Sequence, residues 1–149
     1  MENKKTEVDI ILPNFNSFEF IDETIQSIIN QNYTKWKLVI IDDNSNQETK
    51  SKIKKYEKLK KIKIFWLKEN KGAAYCRNFA IKNTNSNFIA FIDSDDVWEK
   101  NKLKKQINFM KKNNYYFSYT NYTTIGLKKK KIITPKKISF KEFIRNTSI

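Results

Sequence analysis

Four short apolar runs, residues 8–12, 36–41, 62–67 and 88–92, alternate along the chain with segments of helical character. Each run is rich in β-branched or aromatic residues and bounded by polar ones, so each reads as a buried strand. Between them, residues 20–31 place Ile21, Ile25, Ile28 and Ile29 on one helical face. Residues 47–60 read as a Lys-rich helix with Ile53, Tyr56 and Leu59 turned inward, and residues 72–83 offer Ala73, Cys76 and Ala80 for packing. Leu103, Ile107 and Met110 mark a helix after the fourth run. Strand–helix alternation of this kind predicts an α/β fold, a mostly parallel central sheet with helices on both faces. Pro13 is expected to end the first strand. Residues 115–122 are aromatic and β-prone, and Ser139-x-x-Glu142 predicts a capping box at the start of a last helix. Glycine and proline number two each, so no Gly-rich linker divides the chain, and residues 1–149 read as one domain.

Composition removes several classes of chemistry. The chain has no histidine, which excludes Ser-His-Asp and Cys-His catalysis and any His-ligated metal within it. Cys76 is the only cysteine, so neither an internal disulfide nor a cysteine zinc framework can form; its expected role is a buried core thiol. A metal would have to be held by carboxylates, which favours Mg2+ or Mn2+. No apolar stretch is long enough to span a bilayer and no apolar signal core precedes residue 8, so a cytoplasmic protein is expected. The formal net charge of +14 suggests an anionic partner. Of the 30 basic residues 28 are Lys, which also fits a bias toward AT-rich codons. The run Lys128 to Lys131 reads as a solvated loop or a peripheral contact with the anionic inner face of a membrane, rather than a nucleic-acid site.

Five of the seven aspartates lie in two clusters, Asp42-Asp43 and Asp93-Ser94-Asp95-Asp96, each directly after a predicted central strand. In open α/β sheets ligands bind beyond the carboxyl ends of the strands, so both clusters should meet in one crevice. Three nearby acids repel one another, and a divalent cation bridging to diphosphate oxygens would offset that repulsion. A turn with local hydrogen bonds or a helix cap before Val97 is the alternative use of such residues. No GxxxxGK[ST] and no GxGxxG occurs, so no Gly-rich loop is available to hold the phosphates.

Four segments in order resemble the family 2 glycosyltransferases, which have a Rossmann-like GT-A fold. Val8 to Asn16 is similar to that family's first strand and its P-x-[YF]-N loop. Asp42-Asp43-Asn44-Ser45 resembles its D-D-x-S element, and Asn70-x-Gly72-x-x-x-x-Arg77-Asn78 its N-x-G-x-x-x-A-R-N segment, with Cys76 in place of the usual Ala. Phe91-Ile92-Asp93-Ser94-Asp95-Asp96-x-Trp98 resembles its DxDD element. The resemblance covers roughly residues 7–113.

The resemblance implies transfer of a sugar from a nucleotide diphosphate sugar, a UDP-sugar by expectation, to an acceptor hydroxyl with inversion. It implies that Phe15 contacts the base, that Pro13 shapes its loop, and that Asp43 accepts from the uracil N3–H. Gly72 and Arg77 would line the nucleotide pocket, Asp93 and Ser94 would lie near the ribose, and Asp93 and Asp95 would hold Mn2+ or Mg2+. Asp96 would assist or cap the next helix. The alternatives for Phe15 and Arg77 are a core position and an ion pair with Glu69. A glycan or lipid-linked acceptor of cell-surface polysaccharide biosynthesis is implied in the same way. Inversion needs a general base, but Glu99 and Glu142 are the only carboxylate side chains after Asp96, and neither suits that role. The expectation is therefore a donor-binding part that lacks its acceptor-binding part.

Overall fold

The computed structural model describes residues 7–126 and 128–139. Four strands, β1 (Val8–Asn14), β2 (Trp36–Asp42), β3 (Ile62–Trp66) and β4 (Phe88–Phe91), form one sheet in the order β3-β2-β1-β4, and every pairing in it is parallel. The connecting helices are α1 (Ile21–Ile29), α2 (Gln47–Lys54) and α3 (Ala73–Lys82). α4 (Lys102–Asn113) follows, then a short antiparallel pair of β5 (Tyr122–Thr123) and β6 (Lys131–Ile132).

The alternation of side chains along the strands assigns the two faces. Ile11, Val39 and Ile41 share one face and pack with Cys76 and Ala80 of α3, with Phe65 and Phe79 at the margin. Ile10, Leu12, Leu38 and Ile40 point the other way, the face to which right-handed crossovers carry α1 and α2. Ile21, Ile25 and Ile28 of α1 and Ile53 of α2 are fully buried. All seven residues of β1 are buried, as a strand covered on both faces must be. The chain steps outward from β1 to β2 to β3, then returns through α3 to place β4 on the other side of β1. The carboxyl end of β1 is thus a switch point flanked by the ends of β2 and β4, where α/β sheets bind ligands.

Several boundaries differ from the sequence reading for identifiable reasons. Pro13 does not end β1, which continues to Asn14 paired with Asp42. Parallel pairing tolerates the proline at this strand end because its ring nitrogen is not called on as a donor. The 47–60 helix is α-helical only to Lys54 and finishes as a 3-10 turn over Lys55–Lys58 that buries Tyr56. Of residues 115–122 only Tyr122 joins a strand. The helix expected from Ser139 lies outside the described residues. The described chain also divides into two compact units at Lys105/Gln106, the sheet lying in the first and the β5–β6 pair in the second.

Ile11 sits in the central strand under α3 with no exposed surface. Ile11→Ala removes three carbons from a site with little room to collapse, and should cost about 3 kcal/mol. Denaturant unfolding of parent and variant measures this; a change within the scatter of surface substitutions would contradict the packing described.

Candidate functional site

The ends of β1 and β2 at the switch point are tied together by buried polar groups. The Asn14 side-chain amide donates to Asp42 Oδ1 at 2.9 Å and to Ser45 Oγ at 3.1 Å, and its carbonyl oxygen accepts from the Ser17 hydroxyl. The Asp43 N–H donates to the Asn14 backbone carbonyl at 2.8 Å. Asp42, with no exposed surface, also accepts from the Ser45 N–H at 3.0 Å, closing its own turn. Asn16 and Asn44 hold left-handed backbones (φ 50° and 60°), which asparagine tolerates better than most residues. The Asn16 N–H donates to Ser45 Oγ and its side chain accepts from the Asn46 N–H. Pro13 is buried beneath this knot, and Phe15 is carried on its surface, 51% exposed. Phe15 is therefore not a core residue.

Asp43 is buried, and each of its carboxylate oxygens accepts one backbone N–H, from Lys71 and from Gly72, both at 2.7 Å. Its backbone carbonyl accepts from the Asn70 side chain at 3.3 Å. The carboxylate thus fixes the segment that leads into α3. Gly72 is the N-cap of α3 with φ 84° and ψ 158°, a conformation that glycine alone adopts readily. From α3, Arg77 reaches across to form an ion pair with Asp93, beyond the end of β4. Glu69 pairs with Lys71 instead, at 2.6 Å.

The acidic turn follows directly. The Asp96 N–H donates to the Asp93 carbonyl at 3.1 Å, so residues 93–96 form a tight turn. The side chains of Asp93, Asp95 and Asp96 belong to exposed residues, while Ser94 is half-buried. Asp96 does not cap a helix, because α4 begins only at Lys102. Its carboxyl is held above the usual range, first by partial burial and then by the charges of Asp93 and Asp95. The turn is anchored from α1: the Thr24 hydroxyl donates to the Ser94 carbonyl at 3.0 Å and Ser27 Oγ accepts from the Trp98 N–H at 3.1 Å. Gln31 just past α1 donates to the Glu99 carbonyl and accepts from the Leu103 N–H at the start of α4.

These observations sort the expected residues. Asp43, Gly72, Arg77 and Asp93 form one connected series from the end of β2 to the end of β4. Phe15 stands on the neighbouring loop, and Asp95 projects from the turn without a bond to that series. Sequence reasoning missed Asn14, Thr24, Ser27 and Gln31, which carry the turns. The available signal was a set of short polar side chains at spacings of three and four, beside the isoleucine stripe of α1. Among the described residues no three His, Cys, Asp or Glu side chains are arranged to hold a metal. The donor set suits a cation that takes one or two carboxylates from the protein and the rest of its shell from phosphate and water. Two surface depressions beside α2, about 410 Å³ next to Trp66 and about 570 Å³ next to Phe18, include neither acidic cluster.

A sequence model described as glycosyl transferase family 2 matches residues 9–148. The chain belongs to this family. A Bacillus subtilis (strain 168) protein that bears the name teichuronic acid biosynthesis glycosyltransferase TuaG is 36% identical, the match taking in 100% of this chain and 61% of the relative. The Escherichia coli UDP-Glc:alpha-D-GlcNAc-diphosphoundecaprenol beta-1,3-glucosyltransferase WfgD is 39% identical over 95% of this chain and 56% of its own length. The chain thus spans little more than half the length of these family 2 relatives. Among solved structures, residues 1–349 of Staphylococcus aureus TarS in complex with UDP superpose with a TM-score of 0.67 at 31% identity, covering 72% of this chain and 33% of that one. The same protein with UDP-GlcNAc gives a TM-score of 0.68 at 30% identity, covering 72% and 32%. The GT-A fold expected from the sequence is the fold observed.

Within this family 2 chain, Cys76 of α3 lies in the core beside Ile11 and Val39 with no exposed surface. Burial pushes its thiol up to about 12, and the negative charge of Asp43, a hydrogen bond to Asp43 and the charge of Asp42 act in the same direction. A thiol so held stays protonated and unreactive at neutral pH. Iodoacetamide at pH 8 should leave the folded protein unmodified and alkylate it once it is unfolded in urea; rapid labelling of the native chain would contradict the buried placement.

Proposed function

We propose that residues 1–149 form the donor-binding part of a glycosyltransferase that uses a nucleotide diphosphate sugar, a UDP-sugar by preference. The observation that carries this reading is the bonded series Asp43–Gly72–α3–Arg77–Asp93, which draws both acidic clusters to the switch point of the sheet. The UDP and UDP-GlcNAc complexes of TarS support the choice of donor. Phe15 offers an exposed aromatic face for the base, on a loop whose backbone is fixed from Pro13 to Ser17. Asp43 accepts from two amides and the Cys76 thiol, and a carboxylate has about four acceptor positions, so it can also accept from the uracil N3–H. Gly72 admits the nucleotide close to the backbone. Arg77 and Asp93, with Ser94, border the ribose and diphosphate.

Asp93 and Asp95 would hold Mn2+ or Mg2+, with Asp96 at the margin. Burial first, and then the charges of Asp93 and Asp95, raise the Asp96 carboxyl, and a cation in the turn would relieve the second of these. Such an ion supplies stabilisation of the charge that grows on the departing diphosphate. The chain's own part is to bind the base, orient the diphosphate with Arg77 and fix the sugar's anomeric carbon for direct displacement with inversion. The base that accepts the acceptor's proton lies outside the residues assigned here. A lipid-linked or glycan acceptor of surface polysaccharide assembly is supported by the WfgD name, which specifies a diphosphoundecaprenol substrate for that protein.

Two measurements test the reading. Asp95→Ala should abolish metal-dependent UDP binding in calorimetry with Mn2+, while leaving the thermal transition within about 0.5 kcal/mol, as expected for an exposed residue. Full affinity in the variant would remove Asp95 from the site. Asp43→Asn keeps the shape of the side chain but converts one acceptor to a donor. It should weaken UDP about tenfold or more and spare CDP, whose ring N3 is an acceptor. Equal losses for the two nucleotides would leave Asp43 with only its role in holding Lys71 and Gly72.

A further inference from the structure

The excess positive charge of the chain is segregated. Residues 1–99 carry 16 basic and 15 acidic side chains, and residues 100–149 carry 14 basic and one acidic. Between Glu99 and Glu142 there is no carboxylate side chain at all. A codon bias that enriches lysine does not sort acids into one part of a chain, so the segregation needs a physical reason.

The second compact unit shows how this charge is presented. Asn114 takes a left-handed backbone (φ 54°) that ends α4, and the Tyr115 N–H returns to the Met110 carbonyl at 2.9 Å. That turn folds the Tyr115 ring back toward Phe109, with centroids 5.5 Å apart. The next two residues project outward: Tyr116 is 95% exposed and Phe117 55%, with Phe109 at 52%. Lys111 and Lys112 stand in the last turn of α4 beside them. The Gln106 side chain donates to the Ser118 carbonyl and hydroxyl oxygens, which pins the far end of the aromatic segment to the helix. The β5–β6 pair repeats the combination. Thr124 binds the backbone of Lys128 and Lys130, and the lysine run is accompanied by exposed Tyr122, Ile125 and Ile133.

We infer that this unit is a docking surface for an anionic phospholipid bilayer, with Phe109, Tyr116 and Phe117 entering the interface and the surrounding lysines pairing with headgroup phosphates. Basic groups alone would suit any polyanion. Aromatic side chains held outward on a braced turn, in a stretch of sequence rich in lysine and without an acidic residue from 100 to 141, suit a surface whose charged layer covers an apolar one. Tyrosine is at home at that boundary, with its ring in the apolar layer and its hydroxyl wet. Lysine stems can lie along the same boundary with their ammonium groups raised toward phosphate.

The test is co-sedimentation of the full chain with vesicles of phosphatidylcholine alone and of phosphatidylcholine mixed with phosphatidylglycerol. Binding should require phosphatidylglycerol and weaken as salt is raised. Lys111→Gln with Lys112→Gln should lower the partition coefficient by about fivefold for each charge. Tyr116→Ser with Phe117→Ser removes no charge and should still release the protein into the supernatant, with an unchanged circular dichroism spectrum. Equal binding to both vesicle types would overturn the inference, as would undiminished binding of the aromatic variant. Duplex DNA that strips the protein from the vesicles at equal phosphate concentration would make a nucleic acid the partner and overturn it as well. Self-association lost in the aromatic variant, without vesicle binding by the parent, would identify the surface as a contact between copies of the chain.

Discussion

The buried amide of Asn14 is the contact on which the crevice depends. It lies at the end of the central strand and bonds the side chains of Asp42, Ser45 and Ser17 at once. Each bond adds only about 1 kcal/mol net, but an orphaned partner in this buried setting would cost about 1–3 kcal/mol. The geometry is therefore held less by the strength of any bond than by the cost of leaving a group unpaired. Two loops that would otherwise move independently are obliged to keep one arrangement. Phe15 and Asp43 directly follow the paired residues Asn14 and Asp42 of that knot, and each is placed by it.

A second constraint is charge. The turn at residues 93–96 puts three carboxylates together at the rim of a sheet, and among the described residues only Asp93 of the three forms an ion pair, with Arg77. The Asp96 carboxyl is raised first by partial burial and then by this imbalance. The hydroxyls of Thr24, which donates to the Ser94 carbonyl, and of Ser27, which accepts from the Trp98 N–H, keep the turn in place despite it. The arrangement stores unfavourable electrostatics at an exposed point, where a cation and an anionic ligand can relieve it.

Much of this was legible in the sequence. The spacing of the apolar residues located the four strands and the four helices α1 to α4, because covered parallel strands and one-sided helices leave little choice of residue. The positions of the two aspartate clusters after those strands located the crevice. What was not legible has a common cause. Thr24, Ser27 and Gln31 bond backbone groups about seventy residues away, Asn14 bonds side chains at the end of β2 and in the loop after it, and a long-range polar bond leaves no periodic trace. The aromatic stretch at 115–122 misled for the opposite reason: its β propensity is strong, but strands need partners, and only Tyr122 has one.

The same residue type does three different jobs at one end of the sheet, and environment alone separates them. Asp42 has no exposed surface, and its bonds to Asn14 and Ser45 are internal, so it serves the fold. Asp43 is almost as buried, yet its oxygens face backbone amides at the entrance to α3 and retain acceptor capacity, so it can serve the fold and a ligand together. Asp93, Asp95 and Asp96 are exposed, and their carboxylates contribute no bond to the knot at the end of β1. This gradient from buried to open lets the ligand-facing carboxylates vary their protonation, partners and position without loosening the loops behind them. A site built with its structural and chemical acids exchanged would unfold its own loops whenever it changed its bound state.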